Sequence, residues 1–296
     1  MIVAYAQREK AKVEYRNYYV NRLARIYPVY FIALLLSTIG HLRSILSLNF
    51  SLHTLLIQSW VPGHVLTLNF PGWSLSNETF FYLSFPILLN YFYKKLNLIS
   101  VTIALIIAFI VLKGTAMGLL HSSFYKGFPS NSHDFIFYNP ILNISDFILG
   151  NLLGLLFLKI PKQYFKRYDL IVIFIVVIAF LMMGLNIALP FIPLVFACLI
   201  LFMSLNSNGY LSKLFSLKPL VLLGEASYGI YILMIPVFSL VERLSSKVGL
   251  AKASKGTVFY LSLIILVSVS ILSYKLIEIP ARNYIKSKLG KVKIAS

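Results

Sequence analysis

Four groups of polar side chains interrupt the apolar stretches of this sequence, and their types and spacing can support chemistry. The first group is Arg22 with Arg25, which a three-residue spacing places on one face of a helix. Two guanidinium groups on one face can bind phosphate together, because each offers planar pairs of N–H donors. The same pair can anchor a helix at a membrane surface by extending its charges toward water. The spacing leaves both interpretations open.

The second group follows the sequence PGW (71–73), where Ser74, Glu78 and Tyr82 recur every four residues. This period places the three side chains on one helical face. A carboxylate in an apolar helix is expected to face a partner or a wet interior, and it suits acid–base work, so Glu78 is the candidate catalytic residue. A clamp of hydrogen bonds between two helices explains the same pattern equally well.

The third group is Asp146, followed at four-residue intervals by Gly150 and Gly154. Small residues at this spacing favour close packing of two membrane helices, so the glycines are predicted to be packing devices. Asp146 is then expected to orient a partner side chain across that helix contact.

The fourth group lies in the sequence LGEASYGIY (223–231), where Glu225, Tyr228 and Tyr231 form a predicted polar belt on one helix. The belt either lines a binding site or ties its helix to the region of Arg22 and Arg25. Both regions are expected near the cytoplasmic side of a membrane, so the sequence does not separate these two interpretations.

The elements that must position these side chains are membrane helices. Hydrophobic residues make up 59% of the 296 residues and charged residues 12%, against about 25% charged in an ordinary soluble domain. A single water-soluble core of this length cannot bury so much apolar surface. The single cysteine, Cys198, rules out an intrachain disulfide, and the five histidines do not have the spacing of metal ligands.

Eight apolar runs have about the length needed to cross a hydrocarbon layer of about 30 Å, where only helices satisfy the backbone. The predicted fold is therefore an all-α, polytopic transmembrane helical bundle of about eight membrane-spanning helices, forming a single domain over 1–296. The stretch 52–60 is predicted to be an interfacial or re-entrant helix. The runs are 26–42, 73–93, 97–120, 140–158, 170–186, 189–205, 219–241 and 257–279.

Basic residues dominate the charge, with 27 Lys and Arg against 9 Asp and Glu and a net charge of +18. Most of them precede the first run or lie in the gaps after the second, fourth, sixth and eighth runs. Because Lys and Arg mark the cytoplasmic side, both termini (1–25 and the basic tail 280–296) are predicted to be cytoplasmic in a multi-pass protein of the inner (plasma) membrane. We therefore expect the basic residues to interact with the lipid bilayer, and we do not expect the protein to bind a nucleic acid.

An ordered set of motifs resembles the bacterial acyltransferase 3 family of integral membrane O-acyltransferases. The matching elements occur in the family's order and cover nearly the whole chain. Each element alone has low specificity for the family, whereas the ordered set is fairly specific. They are RLARIYPVY (22–30), PGWSLSNETFFYLSFP (71–86), NISDFILG (143–150), LGEASYGIYILMIP (223–236) and IEIPARNYI (277–285).

The resemblance implies transfer of an acyl group, often acetyl, from cytoplasmic acyl-CoA (acetyl-CoA) to a hydroxyl of an extracytoplasmic glycan or lipid-linked saccharide. Arg22 and Arg25 match the family's RxxR pair, where the phosphates of coenzyme A are expected. Glu78 matches the acid of the family's W-S-L-x-x-E motif, where it would polarise a base or the acceptor hydroxyl. No bound cofactor and no metal is expected, and the oligomeric state is left open. The other candidate substrate-binding residues are Trp73, Ser74, Tyr82, Asp146, Glu225, Tyr228 and Tyr231.

The chain departs from the family at its start. Members ordinarily carry further N-terminal spans and a histidine in the first helix that is regarded as catalytic. None of the five histidines matches that position, and residues 1–10 resemble the exit of the family's second helix. We therefore expect this chain to correspond to a family member without its first two helices. Whether such a chain is active as an acyltransferase is left open.

Two other functional classes remain as alternatives. A transporter or flippase for a lipid-linked glycan would also keep polar residues at both ends of an apolar bundle, although the sequence has neither an inverted repeat nor matched broken helices. A partner subunit without catalytic activity is the second alternative, because the first-helix histidine has no counterpart here.

Overall fold

The computed structural model describes residues 13–39, 45–93, 97–160, 169–185, 191–247 and 255–289. These ranges are helical and contain no strand, which confirms the predicted all-α class. The α-helices are α1 (Tyr15–Ser37), α2 (Leu48–Thr54), α3 (Gly72–Ile87), α4 (Leu98–Leu120), α5 (Asn131–Tyr138), α6 (Pro140–Lys159), α7 (Asp169–Gly184), α8 (Ile192–Leu205), α9 (Tyr210–Phe215), α10 (Lys218–Lys247), α11 (Lys255–Ser273) and α12 (Ile279–Leu289). Two π-helical segments, Leu88–Tyr93 and Tyr274–Glu278, follow α3 and α11.

Four helical stretches of the described chain are long and apolar enough to cross a membrane: Ile99–Leu120, Asn131–Lys159, Lys218–Lys247 and Gly256–Leu289. Two shorter apolar helices are α7 and α8. The remaining predicted runs fall on α1 and α3, which belong to neither group. This difference has a simple reason, because these two helices carry the polar residues of the first two groups.

The largest departure from the predicted runs is at α1, which begins at Tyr15 rather than near residue 26. Arg22 and Arg25 therefore lie roughly two to three turns inside a helix, not at its entrance. The stretch 52–60 is not a single helix either. It contains the end of α2 and a 3₁₀ turn, Gln58–Trp60.

The chain forms two compact units. The terminal unit comprises the described parts of Glu14–Tyr82, Pro129–Tyr138 and Pro219–Ser296, and the central unit comprises Val13 and the described parts of Leu83–Phe128 and Asn139–Lys218. That residues 1–296 form a single domain stays a prediction.

The core of the terminal unit is formed mainly by α1, α10 and α11. Its fully buried side chains include Tyr30, Leu34, Ile232 and Leu266. In the central unit α4 packs on α6, and both α6 and α7 pack on α8. The outer side of α4 exposes large apolar residues such as Ile103 and Ile107, as expected of a helix that faces lipid.

The loop 55–71 connects α2 to α3 within the terminal unit and is deeply packed. Val65 and Asn69 are fully buried there. Leu56 and Leu68 have φ angles of 57° and 56°, in the left-handed region that leucine rarely adopts. Surrounding contacts must therefore hold this loop in shape.

Candidate active site

The candidate site lies in the terminal unit and begins with a stacked arginine. The guanidinium carbon of Arg22 lies 5.3 Å from the ring centroid of Tyr18 and 5.4 Å from that of Tyr82. Tyr18 is one helical turn before Arg22 on α1, whereas Tyr82 is on α3. The Arg22 Nε atom is buried and has no hydrogen-bond partner among the described residues. The guanidinium thus lies over two aromatic rings, and at least one of its N–H donors has no acceptor in the described part of the chain.

Glu78 joins this cluster through Tyr82. The Tyr82 hydroxyl donates a 3.0 Å hydrogen bond to a carboxylate oxygen of Glu78, one turn earlier on α3. Arg25 and Arg22 both act electrostatically on Glu78. The four-residue spacing in the sequence thus corresponds to a contact in the structure, and the positive and negative groups of the first two motifs share one environment.

Glu278 is a second carboxylate of the same environment. It is 4% exposed and lies at the end of the π-helical segment Tyr274–Glu278. Arg25 and Arg282 act on it electrostatically. Arg25, which is itself exposed, therefore interacts with two carboxylates, Glu78 and Glu278.

Tyr228 on α10 connects the cluster to a third helix. Its hydroxyl donates a hydrogen bond of 2.5 Å to the backbone carbonyl of Ile26 on α1. It also interacts electrostatically with Glu78, Glu278, Tyr30 and Tyr82. Of the two interpretations left open for the fourth motif, the tie to the arginine region has direct structural support at Tyr228.

The other members of the polar belt have different neighbours. Tyr231 makes a side-chain hydrogen bond with Ser74, and it is influenced by Glu78. Glu225 is exposed and hydrogen-bonds Tyr274. Tyr231 therefore faces the site, whereas Glu225 contacts the π-helical segment that carries Glu278.

Trp73 and Asn77 lie on the first turns of α3, beside Glu78. The Trp73 ring packs 4.9 Å from that of Tyr138, and its carbonyl accepts a hydrogen bond from Ser59. Asn77 is 3% exposed, yet neither amide atom has a hydrogen-bond partner among the described residues. Leaving such a group unpaired costs about 1–3 kcal/mol, so Asn77 is expected to bind water or substrate.

The loop 55–71 and α2 line the same unit with further buried polar groups. Tyr30 donates to the carbonyl of His53, Gln58 donates to that of Gly72, and Asn69 donates to that of Ile232. The Gln58 Oε1 and Asn69 Oδ1 atoms are buried without a partner among the described residues. The segment is thus tied to α1, α3 and α10 by side chains that contact backbone carbonyls.

His53 is fully buried on α2, outside the membrane-crossing stretches. Its Nε2 atom lies 3.1 Å from the hydroxyl of Thr67. Burial lowers the pKa of His53 from 6.5 to about 4, and the nearby His64 contributes in both directions. The imidazole is therefore neutral at physiological pH.

Asp146 belongs to the central unit. Its carboxylate oxygen Oδ1 lies 2.7 Å from the ammonium nitrogen of Lys113 on α4, so the partner that it orients is a lysine. Gly150, one turn later, does not mediate the predicted close packing of helices. A Cβ atom placed on it would meet no atom within 4 Å.

Sequence reasoning missed Glu278, Tyr18 and Asn77. Glu278 stands in the motif IEIPARNYI as a carboxylate within an apolar run, and this was a usable signal. Tyr18 is four residues before Arg22, a spacing that allows stacking on a helix, but the predicted helix began later. Asn77 carried no signal, because an amide beside Glu78 on a helix is unremarkable until its burial is known.

The terminal unit thus combines guanidinium cations, carboxylates and phenol hydroxyls among helices α1, α3, α10 and the segment before α12. Such a set can bind a phosphate-bearing molecule and move a proton. Among the described residues, no group of three or more His, Cys, Asp or Glu is placed to hold a metal ion.

Comparison with known protein families identifies the chain. A family model described as "Acyltransferase domain", that of the acyltransferase 3 family, matches residues 1–275, which is most of the chain. No curated protein and no solved structure matches the chain significantly.

Proposed function

Because this chain belongs to the acyltransferase 3 family of membrane acyltransferases, we propose that it transfers an acyl group, most simply acetyl, from cytoplasmic acyl-CoA to a hydroxyl of an extracytoplasmic glycan or lipid-linked saccharide. The proposed location is the inner (plasma) membrane, with both termini cytoplasmic. The observation that carries the proposal is the convergence of Arg22, Tyr82 and Glu78 in one unit.

Arg22 and Arg25 are proposed to bind the phosphates of the CoA donor. The guanidinium carbon of Arg22 lies over the rings of Tyr18 and Tyr82, and its buried Nε–H has no acceptor among the described residues, so an oxyanion of the donor can accept from it. Arginine commonly binds phosphate through such N–H donors, often bidentately. Arg25 adds a second charge on the same helical face.

Glu78 is proposed to accept the proton of the acceptor hydroxyl. The acceptor oxygen then attacks the thioester carbonyl, the C–S bond breaks, and the CoA thiolate leaves and takes up the proton that Glu78 accepted, which restores the carboxylate. The hydrogen bond from Tyr82 fixes the carboxylate, and Arg25 and Arg22 act electrostatically on it. Proton transfer by a positioned side chain typically contributes about 10²–10⁴-fold in rate.

Buried polar atoms in the terminal unit support a site that receives polar substrate. Asn77, Gln58 and Asn69 each present buried side-chain atoms without a partner among the described residues. A purely structural helix clamp would be expected to pair such groups, because unpaired polar groups destabilise the interior. The clamp interpretation therefore accounts for Tyr82 but not for these amides.

The test is acetyl transfer by the purified chain in lipid nanodiscs. The protein is incubated with acetyl-CoA labelled in the acetyl group and an envelope glycan fraction, and label in the glycan is measured. The double variant Arg22→Ala with Arg25→Ala is expected to lose CoA binding and transfer. Arg16→Ala, an exposed arginine of the same helix, is the control and is expected to keep both.

Equal transfer by the double variant and by the Arg16→Ala control would contradict the donor site. A Glu78→Gln variant that binds CoA but transfers no acetyl is the expected result for a catalytic carboxylate. Movement of the glycan across the membrane without an increase in its mass would favour the transporter instead.

A further inference from the structure

A cavity of about 130 Å³ lies in the terminal unit, at the end of α1 that is farther from the arginine pair. Ser37 lines it from α1, Leu68 lines it from the loop 55–71, and α10 supplies six lining residues between Ile235 and Arg243. Ser37 comes twelve residues after Arg25 on α1, which is roughly 18 Å at 1.5 Å per residue. The cavity is therefore separate from the site proposed for the CoA phosphates.

A proline in α10 shapes the wall of this cavity. Pro236 has no N–H, so the carbonyl of Ile232 one turn earlier loses its helical hydrogen bond. The side chain of Asn69 donates to that carbonyl instead, at 3.0 Å. Pro236 and Leu68, the neighbour of Asn69 in the chain, both line the cavity. The bond from Asn69 therefore fixes the loop 55–71 against α10 at the wall of the cavity.

Arg243 adds a cation to the cavity. Its Nη1 atom donates a 2.9 Å hydrogen bond to the carbonyl of Ile39, just beyond the end of α1. The bond holds the guanidinium at the end of α1, while the side chain stays exposed. An arginine has five N–H donors, and this bond uses one of them. Arg243 can therefore bind an anion without releasing α1.

A second cation follows one turn later. Lys247 lies four residues after Arg243, so the two side chains project from the same face of α10. Both are exposed, and Glu242, which is also exposed, does not line the cavity. Two neighbouring cations match the charge of a diphosphate, whereas a phosphatidylethanolamine head group would bring its own ammonium against them.

The position of Arg243 suits the phosphate of a lipid. The predicted membrane run 219–241 ends two residues before it, so Arg243 lies at the boundary between hydrocarbon and water, where lipid phosphates lie. From Arg243 back to Ile235, the lining residues cover roughly 12 Å of helix, and Pro236 and Leu240 make much of this wall apolar. The volume is below the range of about 300–1,000 Å³ typical of a site that encloses a whole ligand. The cavity therefore suits the first carbons of a lipid chain and not an entire lipid.

We propose that this cavity binds the diphosphate end of a lipid-linked saccharide, with its phosphates on Arg243 and Lys247 and its first chain carbons against Pro236 and Leu240. The inference rests on the proposed function, because it identifies the acceptor of that reaction as a saccharide carried on a lipid diphosphate. The CoA phosphates and the acceptor phosphates then bind toward opposite ends of α1. The saccharide lies on the extracytoplasmic side that the basic residues predict.

The experiment uses the full chain in phosphatidylcholine nanodiscs, without acyl-CoA. The probe is a prenyl diphosphate that carries N-acetylglucosamine on its diphosphate and a photoreactive diazirine in its lipid chain. After irradiation at a series of probe concentrations, the labelled peptides are mapped by mass spectrometry. Saturable labelling of α10 within 235–243 is expected. Labelling that never saturates, or that spreads evenly over the helices, would overturn the proposal.

Two variants and a control test the residues. Arg243→Gln removes the cation and is expected to weaken probe binding at least tenfold, because charge-assisted hydrogen bonds are lost. Ser239→Leu fills the cavity but keeps Arg243, so it tests the site even if Arg243→Gln fails to fold, and it is expected to weaken binding several-fold. Lys126→Gln removes an exposed cation on the same predicted side of the membrane, away from the cavity, and should bind as the wild type does. Wild-type binding by Ser239→Leu or by folded Arg243→Gln, or an equal loss in Lys126→Gln, would overturn the proposal.

Competition identifies the source of the phosphate. Unlabelled probe lipid is expected to displace the photoreactive probe at concentrations at least tenfold lower than the matching prenyl alcohol, which has no phosphate. Phosphatidylglycerol, which carries a single phosphate, is also expected to compete at least tenfold more weakly. Equal competition by phosphatidylglycerol would make this a general phospholipid site and overturn the assignment to a lipid-linked saccharide.

Binding is measured without acyl transfer, so the two proposals fail separately. Acetyl transfer to a free glycan by a chain that does not bind the probe would overturn this inference alone. Binding of the probe by a chain that transfers no acetyl group would contradict the acyltransferase and support the site for a lipid-linked saccharide.

Discussion

At the scale of single residues, Arg22 is defined by its two aromatic neighbours as much as by its charge. Its guanidinium carbon lies over the rings of Tyr18 and Tyr82, and such a cation–π contact is worth about 0.5–2 kcal/mol. A lysine at this position would keep the charge but lose the planar group that stacks. The site therefore depends on the shape of the cation.

We expect Tyr82→Phe to slow acyl transfer by about 10- to 100-fold, because it removes a hydrogen bond to a carboxylate worth about 1.5–3 kcal/mol. The phenyl ring would still stack on Arg22, so CoA binding should be retained. Initial rates of acetyl transfer and equilibrium binding of CoA measure the two effects separately.

Two further variants test why Tyr82→Phe is expected to slow acyl transfer. Tyr82→Ala also removes the ring and is expected to weaken CoA binding, which Tyr82→Phe spares. Tyr210→Phe changes a tyrosine that is 82% exposed, and it should have no effect on either measurement. A Tyr82→Phe enzyme with a wild-type rate would mean that the hydroxyl does not position Glu78 for catalysis.

We expect the stability of the protein to fall as the pH drops from 6.5 to about 4, because His53 is buried and neutral in the folded state. In this window the unfolded chain binds a proton at His53 and the folded chain does not, so protonation favours unfolding. The contribution of the neutral His53 to the free energy of unfolding is fully present above pH 6.5. Up to about 3 kcal/mol of it is lost by pH 4. Thermal unfolding in detergent across this range measures the effect.

His53→Gln cannot titrate and should flatten that pH dependence, whatever its effect on absolute stability. His121→Gln replaces an exposed histidine and should leave the dependence intact. If the two variants showed the same slope with pH, His53 would not be the titrating group.

A residue of the candidate site could be predicted from the sequence when its contact partner lies nearby in the chain. Glu78 and Tyr82 were found because both lie on one helix face with a regular period. The contact of Tyr228 with the Ile26 carbonyl joins residues 202 positions apart, so spacing could place it only as one of two alternatives. The burial of Asn77 was not predictable at all, since it depends on how three helices assemble.

At the scale of helices, α10 and α11 approach each other closely at Gly229. A Cβ atom on Gly229 would lie 3.3 Å from the Cβ atom of Ser270 and 3.4 Å from its Cα atom. A side chain at Gly229 would thus press on Ser270, whereas Gly224 on the same helix has open surroundings.

We expect Gly229→Leu to destabilise the protein by about 1–3 kcal/mol, because the added side chain forces α10 and α11 apart. Gly224→Leu should be neutral or slightly stabilising, since leucine is the better helix former. The midpoint of thermal unfolding in detergent distinguishes the two. Equal midpoints would show that the helices separate without penalty.

Helix ends were harder to predict than helices. Apolar runs located α4 and α6 to within a residue or so of their observed bounds, because length and composition suffice for a helix in lipid. The start of α1 was placed too late, because the polar turns that carry Arg16, Arg22 and Arg25 interrupt the apolar pattern. Those turns are helical since Tyr18, Arg22 and their neighbours pack inside the terminal unit.

At the scale of the whole molecule, the distribution of basic residues predicts the side of the membrane for each end. In a Cys198→Ser background, we expect Ser123→Cys to react with a membrane-impermeant maleimide on intact cells, because it lies on the side with few basic residues. Ser287→Cys, in the basic α12, should react only after the membrane is opened. Both side chains are exposed, so access within the protein does not limit the reaction.

The reverse pattern, with Ser287→Cys labelled on intact cells, would invert the topology and place the arginine pair on the wrong side for cytoplasmic CoA. Labelling of both positions on intact cells would show that the cells were permeable. Loss of labelling at Ser287→Cys after pre-treatment with a permeant reagent confirms that the thiol is reactive.

The terminal unit is assembled from stretches that are far apart along the chain, and this has a consequence for biosynthesis. The loop 55–71 holds two leucines in a backbone conformation that they disfavour, and its support includes the bond from Asn69 to Ile232, which is translated 163 residues later. A ribosome-bound chain that ends before α10 therefore lacks the acceptor that secures this loop. The loop is expected to reach its final shape late in synthesis, so nascent chains arrested before residue 232 should be digested within it by protease and those released after α11 should resist.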